Sequence, residues 1–142
     1  KNLPAGWFQS YTSLQAEFGL KRIREINRED KLRIDNANKI KKELKYFVDF
    51  PKVAKKSKHT YWQLLAYSEQ PKKTIKNLLK NGVDTCSTSL EKLSSLKNYS
   101  YNIYLKNVNK VYDKALFIPC NHELNKNDVG IIINQIKKLK SF

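Results

Sequence analysis

Methionine is absent from the 142 residues, and glycine, proline, cysteine and histidine are scarce, at four, four, two and two. So few glycines and prolines exclude a collagen-like or low-complexity chain, and no Pro, Ser or Gly tract interrupts the regular recurrence of apolar residues. Two cysteines, Cys86 and Cys120, make neither a disulfide framework nor a metal set. Neither has a second Cys or His at ligand spacing that completes four ligands, although His122 follows Cys120 by two residues. They read as two reduced, partly buried thiols of a cytoplasmic protein. With His59 and His122 the only histidines, a histidine acid/base pair would have to be assembled from these two. No apolar run approaches the roughly 20 residues needed to cross a bilayer, and the start lacks a signal peptide's apolar core, so no membrane partner is expected.

What is present is basic charge. The net charge of +15 raises nucleic acid as a partner, because a cationic surface gains affinity by releasing counterions from phosphates. The detail argues against it. Only Arg22, Arg24, Arg28 and Arg33 carry the forked guanidinium suited to bidentate phosphate and base contacts, and the lysines are spread along the chain. A lysine bias on solvated faces explains the charge equally well. A stand-alone basic nucleic-acid-binding domain stays as an alternative.

The length suits one domain, residues 1–142, with one core. An aromatic entry (Trp7, Phe8, Tyr11) leads into apolar residues at Ala16, Leu20, Ile23 and Ile26, then Ile34, Ala37, Ile40, Leu44 and Phe47. Their steps of three and four predict one long helix from about Thr12 to Phe47. Its middle, Asn27 to Lys31, is charged on nearly every side, so the helix is expected to leave the domain body there or meet another chain. Thr60 to Tyr67 reads as a strand, and Pro71 opens a helix closed at Gly82. Val83 to Cys86 reads as a short strand, Ser89–Leu96 and Ser100–Val111 as helices, Ala115 to Pro119 as a third strand. Asn125 caps a last helix whose buried face is Val129, Ile132, Ile133, Ile136 and Leu139. The expected class is α+β: a long N-terminal helix plus a small, mainly antiparallel sheet with helices packed on it.

Four words in this order resemble the C-terminal small domain of the DegT/DnrJ/StrS family of pyridoxal-phosphate-dependent sugar aminotransferases. They are Gly6 with Leu14-Gln15-Ala16 and the arginine-bearing helix, His59-Thr60-Tyr61-Trp62, the leucine-rich stretch from Ile75 through Gly82-Val83-Asp84-Thr85, and Phe117-Ile118-Pro119 with Leu124 to Val129. The resemblance implies an aminotransferase small domain that is the C-terminal part of a larger enzyme, contributing dimer contacts and covering the active site. It implies a nucleotide-linked keto-sugar as substrate, a homodimer and a missing large domain as partners, and pyridoxal phosphate as the parent's cofactor. The aldimine lysine belongs to that large domain, so this chain by itself is expected not to transaminate.

The resemblance also places candidate residues. Counting back from Leu14-Gln15-Ala16, the family's phosphate-contacting Asn falls on Phe8 and its Arg on Ser10. Phe8 donates no hydrogen bond, which leaves Gln9 and Ser10 as candidate cofactor-phosphate donors and motivates a further alternative, a non-catalytic relative that keeps only the association surface. His59, Tyr61 and Arg28 are the substrate-binding candidates. No catalytic or metal-ligating residue is assigned.

Overall fold

The computed structural model describes residues 6, 10–88, 90–93, 105–139 and 142. Helix α1, Ser13–Leu44, starts where the pattern predicts, because Thr12 and Gln15 form a reciprocal capping box that satisfies two of the free N–H groups at a helix start. Strand β1, Leu64–Tyr67, is followed by α2, Pro71–Lys80, then α3, Lys106–Lys114, β2, Ala115–Ile118, and α4, Lys126–Lys137.

Strands β1 and β2 pair antiparallel, with Leu64 opposite Ile118 and Ala66 opposite Leu116. Those four residues are buried and make the inner face of the sheet. Against it pack Ala37, Ile40 and Leu44 of α1 and Val129, Ile132, Ile133 and Ile136 of α4, with Leu78 of α2 and Val83 completing the core. Helices α1 and α4 touch directly. Ser68 ties three elements together: its N–H donates to the Lys114 carbonyl at 2.9 Å, and its buried hydroxyl meets Thr74 at 2.9 Å while accepting from the Gln70 N–H at 3.2 Å. A side chain outside α2 thus does the capping that Gln70 does not.

The α+β class and the small antiparallel sheet stand as expected, and so do several boundaries. Pro71 opens α2, Gly82 closes it at φ 77°, and Asn125 with Asp128 forms a capping box on α4. The sheet is smaller than the sequence suggests. The strand expected from Thr60 begins only at Leu64, because Tyr61 sits at φ 50°, the left-handed region that breaks extended backbone. Val83 to Cys86 contributes a single bridge, Cys86 to Phe117, and a second bridge joins Asp49 to Tyr67. Of the helix expected over Ser89–Leu96, Leu90 to Lys92 are irregular, Leu93 lies in a single tight turn, and the rest falls outside the described residues. The helix expected over Ser100–Val111 begins at Lys106 and runs on to Lys114; residues 100–104 fall outside the described residues.

Two burial expectations are corrected. Phe47, placed with the core face of α1, is exposed because the helix ends at Leu44 and the chain turns. Cys86 is exposed and only Cys120 is buried, since the single bridge holds the Cys86 backbone at the sheet edge, outside the core. These positions separate the two ends of the same periodic pattern: Ile40→Ala is expected to cost about 2–5 kcal/mol by leaving a cavity in a closed core. Phe47→Ala should change stability by less than about 0.5 kcal/mol. Denaturant unfolding of both variants checks the contrast.

Candidate functional site

Apolar side chains leave the core before α1 does. Leu14, Phe18 and Ile23 are 77%, 67% and 64% exposed, and Leu20 and Ile26 are also open to solvent. At about 100° per residue these five span about 240° of the helix circumference, more than one flat neighbour covers. This half of α1 is suited to contact on more than one side.

Where the exposed half meets the body, charge is buried. Glu29 is only 7% exposed, although it lies in the stretch charged on nearly every side, where the helix is expected to leave the domain body or meet another chain. Arg22 Nη2 donates to its carboxylate at 3.1 Å, and His122 Nε2 lies 3.6 Å away. Below, Asn36 Nδ2 donates to the Asn121 carbonyl at 2.9 Å and to that of Leu124 at 3.3 Å. The segment from Cys120 to Leu124 is therefore hung on α1 by polar contacts. Arg33 pairs with Asp30 at 2.7 Å. Arg22 and Arg33 are thus engaged by carboxylates of their own helix, which further weakens the nucleic-acid reading.

The Cys120 thiol donates to the Tyr61 carbonyl at 3.3 Å. Burial pushes this thiol up from its ordinary 9.0 to about 11, against the smaller opposing pull of Arg33. It is an inert structural thiol at neutral pH.

His59 and Tyr61 form a second arrangement at the other end of α1. Their rings stack with centroids 4.3 Å apart, and the Tyr61 N–H donates to His59 Nδ1 at 2.8 Å. Tyr61 is 8% exposed, and Lys41 Nζ donates to its hydroxyl oxygen at 3.2 Å. A cavity of about 250 Å³ opens beside the pair.

The sequence candidates that the structure describes lie apart from one another. Ser10 is exposed just ahead of the Thr12 cap, and Gln9 lies outside the described residues. Arg28 is exposed at mid-helix, about 20 Å of helix rise from Leu14 and about 20 Å from Lys41 beside Tyr61. Only His59 and Tyr61 are brought together. Sequence reading missed Glu29, His122 and Lys41; the spacing of Arg22 and Glu29, two turns apart on one face, was the available signal for the first. Among the described residues no three Cys, His, Asp or Glu side chains group as a metal site, and no helix is long and apolar enough to cross a membrane.

A sequence model of the DegT/DnrJ/EryC1/StrS aminotransferase family matches residues 6–137. No curated protein matches the chain. Among solved structures it is similar to the sugar aminotransferase CalS13 from Micromonospora echinospora, with a TM-score of 0.77 at 20% identity, covering 84% of this chain and 33% of that one. It is also similar to DesV of S. venezuelae in complex with a ketimine intermediate (TM-score 0.80, 14% identity, 92% and 40% covered). A third is PseC of Helicobacter pylori, an aminotransferase involved in pseudoaminic acid biosynthesis (0.75, 19%, 96% and 42%). The shared fold is that of one part of each: the chain spans about a third to two fifths of their length.

Two outcomes follow from the buried groups. Arg22→Met is expected to destabilise by about 1–2 kcal/mol because a mostly buried carboxylate loses its charged donor, and adding Glu29→Leu should recover most of that loss in thermal melts of the single and double variants. Because the Cys120 thiol ionises near 9.0 when unfolded and near 11 when folded, its contribution is complete below pH 9. It is lost as pH rises toward 11, and Cys120→Ala should remove that part of the alkaline decline in denaturant midpoint.

Proposed function

The chain belongs to the DegT/DnrJ/EryC1/StrS aminotransferase family, and on that premise we propose that it is the C-terminal domain of a pyridoxal-phosphate-dependent aminotransferase acting on a nucleotide-linked keto-sugar. In the parent it contributes dimer contacts and covers the active site, and it does not transaminate by itself. The observation that carries this reading is the half of α1 from Leu14 to Ile26, whose apolar groups are exposed around most of the helix. A helix apolar on so many sides belongs between neighbours. The large domain supplies one and the second subunit the other.

The cofactor does not fit this chain's own residues. Its aldehyde needs a partly desolvated lysine and its ring nitrogen a carboxylate. No lysine among the described residues is fully buried, and the half-buried Lys41, Lys92, Lys114 and Lys137 are already engaged by Tyr61, Asn109, Glu69 and Glu43. A cleft of about 750 Å³ between the turn after α1 and α3 does bring Lys45, Lys110 and Lys114 near Asp49 and Glu69, but Lys114 Nζ already holds Glu69 at 2.5 Å and 2.6 Å. Binding of the ring therefore falls to the large domain. Gln9 and Ser10 are assigned to the edge of the partner subunit's cofactor phosphate, and His59, Tyr61 and Arg28 to the substrate side. Ser10 ahead of α1, Arg28 at its middle and the His59 and Tyr61 pair beyond its end lie apart, which is compatible with a wall that several surfaces complete.

Sequencing the coding region upstream of Lys1 is the direct test: an open frame of family large-domain sequence with its lysine supports the proposal, and a stop codon overturns it. In the full-length protein, Ile23→Lys is expected to shift the dimer toward monomer by about tenfold or more in dissociation constant, as read by sedimentation, because it places a charge in an apolar contact. Full-length protein that forms the dimer but neither binds the cofactor nor turns over would favour the non-catalytic alternative.

A further inference from the structure

We propose that the lysine face of α2 is a docking surface for an acidic helix of a partner protein. Lys72, Lys76 and Lys80 follow one another at steps of four, so they form one row about 12 Å long, with Lys73 beside it. All four are exposed. Helix α2 contains no acidic residue, and among the described residues no ion pair reaches it. The contrast with the other helices is direct: Lys31, Lys92, Lys114 and Lys137 each meet a carboxylate. Glu69, the acidic residue nearest to α2 in sequence, is the one that Lys114 holds.

Left to itself this row is unfavourable. Like charges four residues apart repel, and Lys72 and Lys73 stand in the first turn, where the helix dipole is positive and favours an anion. A row of carboxylates laid against it removes both penalties. Leu79 is 50% exposed and follows Ile75 by four residues, so an apolar row runs beside the lysine row. On the opposite side Thr74 and Leu78 are buried, which fixes α2 to the body and presents its outer face ready formed. Parallel charged and apolar rows with a four-residue repeat are matched by a second helix that carries glutamates at the same repeat and a leucine row next to them. A phosphate backbone gives Leu79 no apolar partner, and α2 has no arginine to fork onto phosphate and no aromatic ring to stack on a base. One open leucine is also too little apolar surface to seat a helix in a bilayer interface.

This surface stands apart from the cofactor and substrate residues assigned above and does not depend on them. The test is fluorescence anisotropy of a labelled helical peptide, with glutamates at every fourth position and a leucine row beside them, titrated with the full-length protein at low ionic strength. A peptide of the same composition with its glutamates spread around the helix is expected to bind about tenfold more weakly. Lys72→Gln with Lys76→Gln and Lys80→Gln should weaken the matched peptide by about tenfold or more. Lys106→Gln with Lys110→Gln and Lys138→Gln removes the same charge from exposed positions elsewhere and should change binding by less than about twofold. Leu79→Ser, which keeps every charge, should weaken the matched peptide by about threefold or more. The surface is overturned if the wild type does not bind the matched peptide, or if the permuted peptide binds as tightly. It is also overturned if either α2 variant binds as well as the wild type, or if the control variant loses as much. Tighter binding of a short DNA duplex or of phosphatidylserine vesicles than of the matched peptide overturns the protein partner.

Discussion

A helix of 32 residues is about 48 Å long, and a body of this size offers about 30 Å against which to lay it. Most of what is distinctive about the chain follows from that mismatch. The C-terminal half of α1 gives Ala37, Ile40 and Leu44 to the core and meets α4, while the N-terminal half extends past the core with its apolar residues uncovered. Because burial of apolar surface is the main favourable term, a helix that keeps its periodic apolar residues beyond its own core leaves part of that term unused in this chain.

The boundary between the two halves is polar and specific. Glu29 is buried where the body meets the projecting helix, held by Arg22 with His122 close by, and Asn36 fastens the Asn121 to Leu124 backbone about two turns further on. An ion pair in this position adds little net stability, since desolvation offsets most of its attraction. What it does is fix direction, because a carboxylate with few alternative partners tolerates few orientations of the helix. The His59 and Tyr61 arrangement does the same at the opposite end, where the Lys41 contact sets the loop leading into β1 against α1.

How far these features were legible depends on their range. Thr12, Pro71, Gly82 and Asn125 were readable because caps and turns are satisfied within three or four residues. The inner faces of α1 and α4 were readable because burial follows helical periodicity. Tyr61 misled, since an aromatic run reads as strand and nothing in it announces a left-handed residue held by His59. Cys86 misled for a related reason: a backbone that pairs at one position only does not bury its side chain. Glu29 looked like part of a charged stretch where the helix leaves the body or meets another chain, and its partner His122 is 93 residues away.

The sequence by itself determined where α1, α2 and α4 lie, which of their faces are apolar, the α+β class and the family, because each is encoded in local spacing or in short words kept in order. Tertiary structure alone decided which stretch of the apolar pattern on α1 is core and which is left open, that a glutamate in a charged run is buried, and that a histidine, a tyrosine and two lysines from three segments surround one cavity without a carboxylate. The physical reason is common to all three. Burial and charge compensation are properties of neighbours in space, and the neighbours here are brought together from segments far apart in the chain.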